Sequence, residues 1–127
     1  MSLENVSTKK APAAVGPYSQ AMKAGDFVYV SGQLPMDAKT KELIKDDIKK
    51  QTRKSLENAK AILEESGTCL ENVVKTTVFL QNMDDFSKMN EVYAEFFDTH
   101  KPARAAVEVA KLPLGADIEI QMVAYVD

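Results

Sequence analysis

The sequence predicts a mixed sheet of five strands with two helices laid across one face, in the order β-β-α-β-α-β-β. Three observations lead there. Two segments, from Asp46 and from Asp84, carry apolar residues at three- and four-residue steps. "NVVKTTVFL" between them is dense in β-branched residues and too short for a helix of its own. The chain closes with two alternating segments, "ARAAVEVA" and "DIEIQMVAYV".

Taken in order, the polar opening "MSLENVSTKKAPAA" is expected to be loosely ordered over residues 1–10, within a single domain spanning 1–127. "YSQAM" and "FVYVSG" then flank Ala24-Gly25-Asp26, which reads as a hairpin turn. "LPMDAKTKELI" is a polar loop without the composition of a linker. The first helix follows, capped by Asp46 or Asp47, with Ile48, Thr52, Leu56, Ala59 and Leu63 along one stripe and Gly67 placed for a left-handed stop. After the buried strand, Asp84 opens the second helix, whose stripe is Phe86, Met89, Tyr93, Phe96 and Phe97, and Pro102 ends it. Strands separated by helices favour right-handed crossovers, so some neighbours should run parallel. Two helices cover one face; the other is either wet or covered by another subunit.

A chain of 127 residues, 45% hydrophobic and 28% charged, has the composition of an ordinary globular domain. A net charge of −3 and a pI near 5.2 provide no overall positive field for nucleic acid or anionic lipid. Cys69 is the sole cysteine, which excludes an intramolecular disulfide and a thiolate metal cluster and suits a reducing compartment. The opening residues lack the apolar core of a secretory signal, and no run reaches the ~18 apolar residues of a membrane span, so the cytoplasm is the expected address.

Two charges stand out in the closing strands. Alternation sends Ala105, Val107 and Val109 one way and Arg104, Ala106, Glu108 and Ala110 the other. In the last strand Ile118, Ile120, Met122 and Ala124 oppose Asp117, Glu119, Gln121 and Val123. Helices on the aliphatic faces would leave Arg104 and Glu119 solvated, and periodicity alone favours that reading. A tight turn over Pro113 to Ala116 would set Glu119 opposite Ala110 and leave Arg104 near Tyr125. A pocket using both residues therefore needs something beyond that hairpin, and a neighbouring chain is the obvious supplier.

"APAAVGPYSQA", "VYVSGQLP", "VVKTTVFLQNMDDFSKMNEVYAEFF", "PARAAVEVAKLP" and "IEIQMVAYV" together resemble the RidA/YjgF family, the reactive intermediate (enamine/imine) deaminases. The similarity runs from about Ala11 to the C-terminus in unbroken order. It implies a chorismate-mutase-like α+β fold assembled as a homotrimer, with sheets inward, helices outward and pockets between subunits. It also implies that Arg104 binds a substrate carboxylate, that Glu119 positions the attacking water, and that Tyr18, Ser31, Gly32 and Asn90 line the site. Many members carry Ser or Thr directly after the arginine and often Cys two residues after it. Here Ala105 and Ala106 stand there, so backbone contacts persist and side-chain ones do not.

The implied substrates are 2-aminoacrylate and related 2-imino acids released by pyridoxal-phosphate-dependent serine or threonine dehydratases. Their hydrolysis gives 2-keto acids and ammonia. Orientation and one proton-transfer group suffice for such a reaction, each worth ~10²-fold or more. Arg104 suits the carboxylate because its planar fork makes two parallel hydrogen bonds, which lysine does not copy. Glu119 would take a proton from water and pass it to the leaving nitrogen, a task favoured by a raised carboxylate pKa. No metal or cofactor is expected.

Cys69 reads as a small filler, His100 as an end charge or a solvated side chain, and the lysines of the first helix as a solvated face. Phe86, Tyr93, Phe96 and Phe97 read as core. Two other functions compete: a small-carboxylate sensor that binds 2-keto acids without hydrolysis, and the ribonuclease or translation-inhibiting activity ascribed to some family members. The acidic balance, and the lack of a histidine near the carboxylate, argue against nucleic acid.

Overall fold

The computed structural model describes residues 2–127. Helix α1, Ile48–Glu65, begins where Asp47 accepts hydrogen bonds from the amides of Lys49 and Lys50 at 2.8 and 3.4 Å. It ends at Gly67, whose φ of 87° is the left-handed geometry a glycine stop supplies. Its buried stripe combines Thr52, Leu56, Ala59, Ile62 and Leu63 with the polar Gln51, Ser55 and Asn58. Asn58 is satisfied by the carbonyls of Leu34 and Met36, which pins the loop after the first hairpin to the helix. Helix α2, Phe86–Phe96, follows a single 3₁₀ turn capped by Asn82, not Asp84; the Asn82 side chain accepts from the Asp84 amide at 2.9 Å.

The strands are β1 Leu3–Val6, β2 Ala21–Ala24, β3 Phe27–Gln33, β4 Val73–Leu80, β5 Ala103–Glu108 and β6 Ile118–Tyr125. They form one sheet in the order β1-β2-β3-β6-β4-β5, parallel only between β4 and β5. That pair is joined through α2, the crossover predicted for a strand-helix-strand unit. Val28, Val30, Val78, Leu80, Ile118, Ile120 and Met122 face the helices and make up the core with Leu56, Ile62, Leu63 and Met89. Among the described residues, the opposite face carries no helix.

Three expectations need correction. Of the opening residues expected to be loose, residue 1 lies outside the described residues, and the others are held: Leu3–Val6 pairs antiparallel with β2, Val6 is buried, and Gln20 ties the following loop down by bonding Thr8, Ala11 and Pro12. Strand β2 starts at Ala21 rather than at Tyr18, because Tyr18–Gln20 belong to the segment that carries those ties. The closing strands are not a hairpin. β4 lies between β5 and β6, and it fixes which face each β5 residue takes: Thr76 pairs Arg104 and Val78 pairs Ala106, both on the helix side. Ala105 and Val107, expected beneath the helices, lie on the open face, where Val107 is 42% exposed.

Between β5 and β6, Leu114 adopts φ 59°, a left-handed conformation that costs a residue with a side chain about 1–2 kcal/mol. Leu56 is fully buried at the centre of the core. Leu56→Ala should lower the unfolding free energy by about 2–5 kcal/mol in a urea titration, combining lost transfer energy with a residual cavity.

Candidate active site

Strand β3 carries an irregularity after Val30, where its register with β6 shifts before Gln33 pairs Ile120. The shift presents Ser31 and Gly32 to the open face beside Glu119. A Cβ built on Gly32 would lie 2.7 Å from Glu119 Cδ and collide with Oε2, so the carboxyl occupies the space a side chain would need. Only glycine lets the two strands share this point. Burial alone pushes the Glu119 carboxyl above its ordinary range.

Around it lies a hollow of about 550 Å³ lined by Tyr18, Ser31, Gly32, Glu119 and Gln121, and by the apolar Pro12, Val15, Leu34, Met36, Pro113 and Leu114. Ser31 Oγ donates to the Ser19 carbonyl at 2.6 Å, while its amide donates to the Gln20 carbonyl at 2.9 Å. The serine oxygen therefore meets the hollow as an acceptor. Gln20 carries the outer wall: its side chain binds Thr8 through both backbone groups and reaches the carbonyl of Pro12 at 2.8 Å.

Arg104 is built elsewhere. At the β5 edge, on the helix side, its Nη1 donates to Asn90 Oδ1 at 2.7 Å. Its guanidinium carbon lies 4.7 Å from the ring centroid of Tyr93 and 5.4 Å from that of Phe86. Phe86, Asn90 and Tyr93 stand four and three residues apart, one face of α2. Tyr93 is fixed in turn by a 2.8 Å hydrogen bond to the buried Thr76, and burial pushes its phenol up. Among the described residues Arg104 has no carboxylate partner, so its remaining donors are open to an anion.

The expected site residues thus fall into two groups. Tyr18, Ser31, Gly32 and Glu119 meet in the hollow; Arg104, Asn90 and Ala106 stand together at the α2 edge, where Ala106 packs against the core. Ala105 belongs to neither, facing the open side next to Thr77. Phe79 lies across from both Glu119 and Val107. Two strand spacings across and three residues along put Arg104 and Glu119 about 14 Å apart at Cα, on opposite faces. The aromatic support of Arg104 was read from sequence as core alone; the Phe86-Asn90-Tyr93 spacing was the available signal. The apolar wall contributed by Val15, Met36 and Leu114 had none, since those residues meet only through the fold.

Comparison with known proteins places the chain's sequence and fold in a class. The family model described as Endoribonuclease L-PSP covers residues 8–126. A RutC family protein of Pyrococcus horikoshii is 57% identical over 122 residues, covering 96% of this chain and 97% of its own. The 2-iminobutanoate/2-iminopropanoate deaminase of Salmonella typhimurium is 45% identical over 124 residues, covering 95% and 96%. Among solved structures, yeast Mmf1 superposes with a TM-score of 0.96 at 47% identity, covering 99% of this chain and 100% of that one. E. coli TdcF with bound serine gives 0.93 at 40%, covering 98% and 100%. Sequence and fold agree on one class, an α+β protein of the L-PSP type. The chain belongs to the RidA/YjgF family, whose members include proteins named 2-iminobutanoate/2-iminopropanoate deaminase and Reactive Intermediate Deaminase A.

Gly32→Ala should force the Glu119 side chain off the β3 backbone into water. Its carboxyl pKa, followed by carbon-detected NMR titration, should then fall back towards the ordinary ~4.3 of a glutamate.

Proposed function

We propose that this protein hydrolyses 2-imino acids to 2-keto acids and ammonia, in pockets that two neighbouring copies of a cytoplasmic homotrimer build together. The observation that carries the reading is the division of the site. A desolvated carboxylate lies in an open-face hollow, and an arginine already held by Asn90, Phe86 and Tyr93 lies on the other face at a sheet edge. One chain does not bring them together, but a copy whose β5 edge approaches the hollow of the next does. The open face, with Phe27, Tyr29, Val107 and Tyr125 exposed, is the surface such an assembly would cover.

In this reading Arg104 of one copy grips the substrate carboxylate and holds the imine carbon over Glu119 of the next. Glu119 removes a proton from water as its oxygen bonds the imine carbon, and a carbinolamine forms. That proton passes to nitrogen; Glu119 then moves the carbinolamine hydroxyl proton to the same nitrogen, the C–N bond breaks towards nitrogen, and ammonia departs as the carbonyl closes. Ser31, whose hydroxyl hydrogen is committed to the Ser19 carbonyl, accepts from the N–H of the nitrogen. Imines of the kind formed by serine and threonine dehydratases fit this chemistry, and the relatives named as imine deaminases support it.

A second reading, RNA cleavage, is favoured by the description of the family model. The sole histidine, His100, bonds the Val73 carbonyl at 2.6 Å, at the opposite end of β4 from the Glu119 pairing. RNA cleavage that survives Arg104→Ala after repurification would favour it over hydrolysis.

Arg104→Ala and Glu119→Gln should each lower imine-hydrolysis kcat/KM by roughly 10²-fold or more. Co-refolding the two inactive variants in equal amounts should restore about a quarter of wild-type activity, because each site then draws on two chains. No recovery on mixing would place both residues of a site in one chain and end the reading.

Glu119 also sets a pH dependence. Its carboxyl must be ionised to act as a base, and its pKa is raised by burial. Activity should therefore fall as pH drops through a value above the usual ~4.3. For stability the sign is opposite. Between the unfolded and folded pKa values the folded state binds more protons, so Glu119 makes the protein less stable as pH rises through that window. Glu119→Gln should raise Tm at pH 7.5 and leave it unchanged at pH 3.5, as scanning calorimetry would read.

A further inference from the structure

The Glu119 hollow has a composition that the reaction itself does not require. Hydrolysis uses a carboxylate clamp, a base and a polar contact, yet much of the wall is Pro12, Val15, Leu34, Met36, Pro113 and Leu114. In a single copy two of these apolar side chains stand exposed: Val15 is 78% and Leu114 68% exposed. Leu114 carries a second penalty, its left-handed backbone, where asparagine or glycine would sit with less strain. Gly115, at φ 73°, already supplies the turn with one unstrained left-handed residue. A residue that is both strained and needlessly apolar, at the rim of a site, is there for what it touches.

We infer that Val15 and Leu114 form an apolar lip that selects for the substrate's side chain, and that this protein prefers imines of large aliphatic or thioether amino acids over the methyl and ethyl imines. The inference rests on the imine-hydrolase reading for its substrate and adds the direction of its preference. With the carboxylate held by a neighbour's Arg104 and the reacting carbon over Glu119, the side chain leaves along the rim, onto Val15 and Leu114. Met36 offers the floor there a flexible surface that adapts to branched and unbranched groups alike. Each added methylene that leaves water on such a surface is worth about 4-fold, and an isobutyl group over a methyl is partly exposed, so the preference settles near 10-fold.

The test pairs turnover with binding. Imines generated in situ by an amino-acid oxidase from alanine, 2-aminobutyrate, leucine and methionine are supplied to the full-length protein, and keto-acid release is measured. Separately, calorimetry measures binding of pyruvate and of 4-methyl-2-oxopentanoate as product ligands. The wild type should favour the leucine and methionine imines by about 10-fold in kcat/KM and bind the larger keto acid about 10-fold tighter. Leu114→Asn, which suits the left-handed backbone and so preserves the fold, should cut both ratios to about 2-fold. Val15→Ser should lower both by a smaller factor. Equal ratios in wild type and Leu114→Asn, with thermal unfolding unchanged, would overturn the lip. If wild type binds the larger keto acid tighter, and Leu114→Asn cuts this to about 2-fold, while no imine is hydrolysed, the lip stands and the hydrolase reading falls.

Discussion

Side chains on a β-strand alternate between two faces, and in this sheet β4 stands between the strands that carry Arg104 and Glu119. Those two facts govern the rest of the site. An odd offset between Arg104 and the position across from Glu119 sends one side chain to the helices and the other to the bare face. No rotamer change within one copy undoes that, because it is a property of register. What the fold can do is furnish each group separately, and it does. The helix side offers aromatic rings and an amide from α2; the bare side offers a glycine gap and an apolar hollow.

The two furnishings work in opposite electrostatic directions. A guanidinium tolerates aromatic faces well, since the ring quadrupole attracts a cation that is weakly hydrated, and its exposed remainder stays ready for an anion. A carboxylate pressed against backbone and apolar side chains loses hydration with no compensating cation, and its pKa rises. The first arrangement makes a permanent charge; the second makes a group able to take and release a proton. Exchanging the two environments would spoil both roles that the proposed reaction assigns, so under that reading the separation onto two faces has a chemical use as well as a geometric cause.

How much of this the sequence disclosed follows the range of the interactions. Elements written in local periods were legible: the α1 stripe, a cap at Asp46 or Asp47 (the structure uses Asp47), the Gly67 stop and the β-branched β4 are all present. Strand adjacency was not, because nothing local in "KLPLGA" tells a hairpin from a connection that steps over a strand. That error carried the faces of β5 with it. The small residues Ala105 and Val107 looked like core, but an edge strand takes its faces from its neighbour's register. β1 was missed because "LENV" is short and largely polar, and only pairing with β2 makes it a strand. At the site, Arg104, Glu119, Tyr18, Ser31, Gly32 and Asn90 were named through resemblance, whereas their supports Thr76, Tyr93 and Gln20 act across the fold and leave no mark on neighbouring residues.

The completeness of each half in a single copy bears on how such a site would be assembled. Binding loses free energy when side chains must be ordered at the moment of contact, by about 0.5–1.5 kcal/mol for each long flexible one. Arginine and glutamate are among the worst cases in isolation. Here Arg104 is already held against Tyr93 and Phe86, with Tyr93 tied to Thr76, and Glu119 is already folded over Gly32. In the assembly proposed above, two surfaces with these side chains already set in place would lose little further freedom on meeting, and a substrate between them would find both groups in position. Contact between copies would then have only to set the distance between the two halves. Packing of the bare sheet faces would do this better than any loop, since strands move less than the segments that join them.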